Sequence, residues 1–211
     1  PAMNHYPYGF DYPYWHPKRL DEPGKVKEPA RIFLDSMSDL MAARVPEEQI
    51  KAVLQVARRC DWHTFQLLTK NSPRLAKFVY PANVWVGVSS APDQMFGRDL
   101  DRNQQERYMH RALQVLTAIR QESIYGNQGD RVTWCSFEPL SWDVAPIVAQ
   151  YPQALRWAVI GAASNGNKYY QPDPRHVEGL LRVLDEQGVN CFFKGNLRWD
   201  PWREEFPGDA P

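Results

Sequence analysis

The run Val132-Thr133-Trp134-Cys135-Ser136-Phe137-Glu138-Pro139-Leu140 opens as a β-rich apolar segment and ends on a carboxylate set against a proline. Five other runs share that form. They are Arg31 to Asp39, Thr64 to Lys70, Val84 to Ser90, Trp157 to Asn165 and Asn190 to Asn196. Near-continuous apolar runs of this length are how buried parallel strands read. In α/β folds the working residues gather at the C-terminal ends of such strands. The six endings are therefore expected on one rim.

Between the runs lie helical periodicities. Ile50, Val53, Leu54 and Ala57 recur at i, i+3, i+4, i+7, as do Met109, Ala112, Leu113 and Leu116. Val177, Leu180, Leu181 and Leu184 do the same, after Asp173 as cap and Pro174 in first position. Pro46 is read as the first residue of its helix, and a short helix is expected around Pro73 to Val79. Strand and helix alternate, which predicts an α/β partial (β/α) barrel of about six parallel strands with right-handed crossovers. An open doubly wound sheet is the alternative. Residues 1–30 read as an extended Pro/aromatic arm, 31–198 as the α/β domain and 199–211 as a tail docked by Trp202 and Phe206. Ala91 to Gln105 reads as a long polar loop, and Gly161 to Asn167 as a small-residue loop able to approach a ligand closely.

Bulk composition excludes some classes. The 211 residues carry 25 basic and 25 acidic side chains, so no global field gathers nucleic acid or membrane. Any such contact must be local. Cys60, Cys135 and Cys191 are widely spaced, which gives neither a disulfide framework nor a zinc pattern. Reduced thiols in a cytoplasmic setting are the simplest expectation. No apolar run approaches the ~20 residues of a membrane span.

Asp35, Asp39, Lys70, Glu138 and Lys194 are the charged groups at the expected rim. Partial desolvation at a strand end shifts such groups and fits them for acid, base or clamp roles. Glu138 and Lys194 are the catalytic candidates, although an internal salt bridge of Glu138 to Lys70 or Lys194 is the structural alternative. His63 precedes a strand, away from the rim, and reads as structural. Cys135 lies mid-strand and reads as core.

The ordered set Ile32 to Leu40, His63 to Lys70, Asn83 to Ser89, Ser136 to Leu140, Val159 to Gly161 and Phe192 to Lys194 resembles a family. It is the phage-associated, radical-SAM-like proteins of unassigned function that carry an N-terminal three-cysteine motif. The resemblance runs from about His16 to Trp199. It implies a radical-SAM-type partial barrel, a [4Fe-4S] cluster and S-adenosylmethionine at the strand C-termini. By position it implies a ligand site of Asp35, Ser36, Met37, Asp39, Lys70, Ser89, Glu138, Gly161 and Ser164. The implied activity is reductive cleavage of S-adenosylmethionine and hydrogen abstraction from a small-molecule or nucleic-acid-related substrate, with a reductant serving the cluster. The family's cysteines precede the position of His16, whereas the first cysteine here is Cys60. Either that segment lies upstream of Pro1 or this member holds no cluster. The competing expectation is a cluster-free module binding a nucleotide or nucleic acid on the same rim. A metal-independent lyase or hydrolase using Glu138 and Lys194 is a third, which no spacing selects.

Overall fold

The computed structural model describes residues 14–95, 98–126 and 129–208. Six strands form one sheet: β1 (Arg31–Phe33), β2 (Thr64–Thr69), β3 (Val84–Ser89), β4 (Thr133–Phe137), β5 (Trp157–Ile160) and β6 (Asn190–Phe193). They lie side by side in chain order, and every neighbouring pair is parallel. A sheet that never reverses its order is singly wound, so the doubly wound alternative is excluded.

Helices cover one side of it. Ile50, Leu54 and Ala57 of α1 (Glu47–Arg59) are buried, as are Met109, Ala112, Leu113 and Leu116 of α3 (Arg102–Tyr125). The same holds for Val177, Leu180, Leu181 and Leu184 of α5 (Pro174–Glu186). Single turns, α2 (Ser72–Leu75) and α4 (Ala145–Val148), complete the set. These helices meet the outward strand residues, such as Phe65, Val86, Cys135, Ala158 and Cys191, in one large core.

The inward face is different. Alternation along the strands turns Trp85, Trp134, Trp157 and Phe192 to the side opposite these helices. Curvature brings these rings together across non-adjacent strands. Trp85 and Trp157, two strands apart, have centroids 5.3 Å apart, and Phe33 of edge strand β1 lies 6.4 Å from Trp134. The sheet is thus a half-barrel with an aromatic floor. Gly87 sits in β3 because the Trp134 indole lies over it, where any Cβ would collide with the ring.

Several local expectations are corrected. Pro46 is the N-cap of α1, its extended φ/ψ standing just outside the helix. The helix expected around Pro73 to Val79 is shorter, Ser72–Leu75. Ala91 to Gln105 is not one loop: Gln94–Met95 pairs with Arg98–Asp99, and α3 already starts at Arg102. An Asp101/Gln104 capping box explains that early start, since it satisfies orphan donors of the first turn. Gly161 to Asn167 is not an open loop either. Ala163–Asn165 pairs with Lys168–Tyr170 across a two-residue turn whose Gly166 has φ +58°.

The arm is ordered near its end. Residues 1–13 lie outside the described ones, and 17–25 form two short helical turns rather than extended chain. His63 holds this segment: its Nδ1 accepts from Ala30 N–H, so its Nε2 donates to the Pro23 carbonyl. His63 is structural, as its position before β2 suggested. At the other terminus, Phe193 N–H donates to the Arg203 carbonyl and Glu205 N–H to the Cys191 carbonyl. The tail therefore adds an antiparallel stave to β6. Phe206 then packs on Trp157 and Phe192 and lies 3.8 Å beneath the Arg31 guanidinium of β1, so it bridges the two open edges.

Candidate functional site

The inward alternation that ends in the aromatic floor continues upward. Trp85-Gly87-Ser89, Trp134-Ser136-Glu138, Trp157-Val159-Gly161 and Phe192-Lys194 each run from ring to rim along one face. Ser89 and Ser136 are register partners, both buried, just above the indoles. Glu138 and Lys194 follow the ends of β4 and β6, and β5 lies between them.

The two charges meet across that strand. Lys194 Nζ lies 3.6 Å from Glu138 Oε2, with the side chains 47% and 29% exposed. Gly161, which follows β5, makes the crossing possible. A Cβ there would stand 2.9 Å from Glu138 Cγ and 3.1 Å from Asn196 Oδ1. Asn196 completes the arrangement. Its amide pairs with both backbone groups of Ala162, donating to O at 2.8 Å and accepting from N–H at 3.2 Å. That double contact fixes which way the amide points, and its Nδ2 also faces Glu138 Oε1 at 3.4 Å. An ion pair this exposed adds only about 0–1 kcal/mol to stability. The cleared glycine and the oriented amide are more than a stabilising contact of that size requires.

The surrounding loops are stitched together. Asp93 Oδ1 accepts from Ser141 Oγ and Gln105 Nε2, and Trp142 Nε1 donates to the Ala91 carbonyl at 2.7 Å. Leu140 N–H donates to the Gly161 carbonyl. The segments after β3, β4 and β5 therefore hold one another at the rim.

The remaining candidates divide. Lys70 follows β2 on the same face, with its side chain exposed; its carbonyl accepts from Tyr108 O–H. Burial holds the Tyr108 phenol far above its ordinary range, so it stays a donor. Asp39 is engaged by the fold: it accepts from Met41 N–H, Thr69 Oγ1–H and Lys70 N–H, each at 2.9 Å. It clips the segment after β1 to the end of β2. Asp35, at φ +57°, begins an exposed turn with Ser36 and Met37 at the far edge of the sheet. Ser164 lies exposed on the hairpin beyond Gly161. The geometry joins Glu138, Lys194 and Gly161 directly and leaves Asp35, Ser36, Met37 and Ser164 at the margins. Asn196 was not singled out from the sequence; the Lys194-Gly-Asn196 ending was its only signal. Surface clefts beside Arg74 and beside Tyr125 are lined by neither Glu138, Gly161, Lys194 nor Asn196.

Cluster donors are not found here. Among the described residues no three His, Cys, Asp or Glu side chains group as a metal site. Cys135 and Cys191 flank Ala158 on neighbouring strands and face the helices. Burial pushes the Cys191 thiol up to about 12 and raises Cys135 further. Protonated thiols on the wrong side of the sheet do not fit a [4Fe-4S] cluster at the rim.

A family model described as a protein of unknown function, DUF5131, matches residues 2–206. The chain belongs to that family. A search of curated proteins gives this DUF5131 chain no match. Among solved structures it is similar to an HpcH/Hpal aldolase/citrate lyase family protein from Burkholderia cenocepacia J2315. Identity is 9%, TM-score 0.42, with 84% of this chain and 82% of that one covered. It is also similar to chitinase ChiA74 from Bacillus thuringiensis, at 13% identity and TM-score 0.36, over 69% of this chain and 30% of that one. Among the described residues no helix of the DUF5131 chain is long and apolar enough to cross a membrane.

Proposed function

We propose that the rim binds S-adenosylmethionine and that the protein is a radical-SAM-like enzyme. In this reading it cleaves that ligand reductively at a [4Fe-4S] cluster and takes hydrogen from a nucleic acid or a nucleic-acid precursor. The radical-SAM and phage-associated parts rest on the ordered residues of the family resemblance. Support from the site is the Glu138–Lys194 pair over Gly161. An amino-acid end carries an ammonium and a carboxylate close together. A carboxylate and an ammonium already paired at a half-exposed mouth match those charges with opposite sign and can open to receive them. Glu138 would take the ligand's ammonium, Lys194 its carboxylate, and Asn196 would hold Glu138 in line. The aromatic floor below excludes water from the interior.

Donors for the cluster must come from outside the described residues, and so must the electron. With a three-cysteine segment supplied ahead of the chain, the test is 5′-deoxyadenosine formed from S-adenosylmethionine and a low-potential reductant, after anaerobic reconstitution with iron and sulfide. Formation of that product is the expected result. Iron uptake without product counts against the enzyme reading.

A second reading, a cluster-free nucleotide or nucleic-acid binding module, is favoured by the placement of Cys135 and Cys191 on the helix side of the sheet. It expects nucleotide binding at the same rim in an iron-free preparation. The reducing compartment expected from unpaired cysteines suits both readings.

A further inference from the structure

We propose that the hairpin Ala163–Tyr170 is a platform for single-stranded nucleic acid, guiding a base to the rim. The inference names a substrate class for the site proposed above and rests on that reading. Tyr169 and Tyr170 are 51% and 56% exposed, large rings left in water on a segment only two residues beyond β5. As neighbours in one strand they project from opposite faces of the hairpin. A chain crossing one face stacks a base on one ring, and the other ring serves a base that wraps past the hairpin edge.

Charge selects the partner. From Gly161 to Gln171 the only charged residue is Lys168, and from Lys194 to Arg198 the only charged ones are Lys194 and Arg198. Lys194 is paired with Glu138, so Lys168 and Arg198 are the two cations that, with the two tyrosines, give the rim beside the candidate site a positive, aromatic margin. Interleaved cations and exposed rings are what unpaired bases and their phosphates require.

The hairpin is also tied to the site. Gln171 Nε2 donates to the Asn196 carbonyl at 3.0 Å, and its Oε1 accepts from Arg198 N–H at 2.8 Å. Asn196 in turn faces Glu138. A ligand held on the rings is held at a fixed distance from the Glu138–Lys194 pair.

The experiment is fluorescence anisotropy of the full chain with a labelled oligothymidylate of roughly ten nucleotides. A duplex of the same length and a salt series accompany it. Expected are tighter binding to the single strand and about tenfold loss in Tyr169→Ala/Tyr170→Ala. Lys168→Ala/Arg198→Ala should flatten the slope of log K on log salt by about 1.4. Tyr125→Ala, 86% exposed at the end of α3, should change nothing. S-adenosylmethionine affinity should be unaltered in the hairpin variants. No single-strand binding, duplex preference, or binding that survives both double variants overturns the proposal. Loss of S-adenosylmethionine binding with oligonucleotide binding intact instead removes the rim reading and leaves the hairpin standing.

Discussion

The Glu138 side chain passes directly over the α-carbon of Gly161 to reach Lys194, 3.6 Å away on the far side of β5. Gly161→Ala tests the crossing. Its added methyl would press on Glu138 and Asn196 together. The expected result is a loss of about 1–3 kcal/mol in denaturant unfolding, with ligand affinity falling about tenfold. Unchanged stability and affinity would show that the glycine is incidental.

Asp39 carries a structural prediction. Its carboxylate accepts three hydrogen bonds from the end of β2 and from Met41. Asp39→Asn places an amide donor among those donors. A destabilisation of about 1–3 kcal/mol is expected in urea titration, with rim chemistry affected only through looser positioning of Lys70.

The tail stave predicts an acid-side dependence. Arg203 grips Asp185 through both guanidinium nitrogens and holds that carboxyl below its ordinary range. A folded value below the unfolded one contributes stability above about pH 4, and that contribution is lost as pH falls through the folded value. Arg203→Ala should raise the Asp185 titration midpoint, read by NMR, and erase this part of the acid dependence. Phe206→Ala should cost about 1–2 kcal/mol and shift Trp157 emission to the red.

Thiol chemistry checks the outward placement of the cysteines. All three are buried, and burial raises Cys135 and Cys191. At pH 8 a disulfide reagent should modify none rapidly in the native protein and all three in guanidinium. Fast native labelling of Cys135 would contradict its place in the core.

The half-barrel was legible because its strands are apolar runs of uniform kind, and three of its helices carry unbroken heptad-like spacing. The common rim followed from direction alone: parallel strands deliver their ends to one side. Asn196 was not legible, because its role depends on the Ala162 backbone, brought near only by folding. Nor was the hairpin after Gly161, since Ala-Ser-Asn-Gly-Asn-Lys offers little of the β-branched content that marks strands. The tail stave was hidden for the same reason. Its pairing is backbone to backbone, and Trp202 and Phe206 signalled docking without saying where. Asp39 reads either as a ligand residue by position or as the cap of the turn that follows it, and its contact with Met41 N–H is of the second kind.

The most direct measurement is calorimetric titration of S-adenosylmethionine into the full chain, alongside Glu138→Gln and Lys194→Met. Each substitution removes one charge facing the ligand's amino-acid end. The account predicts binding to the unaltered chain that is weakened about tenfold or more in each variant. Equal affinity in all three proteins would contradict it, as would the absence of binding to the unaltered chain.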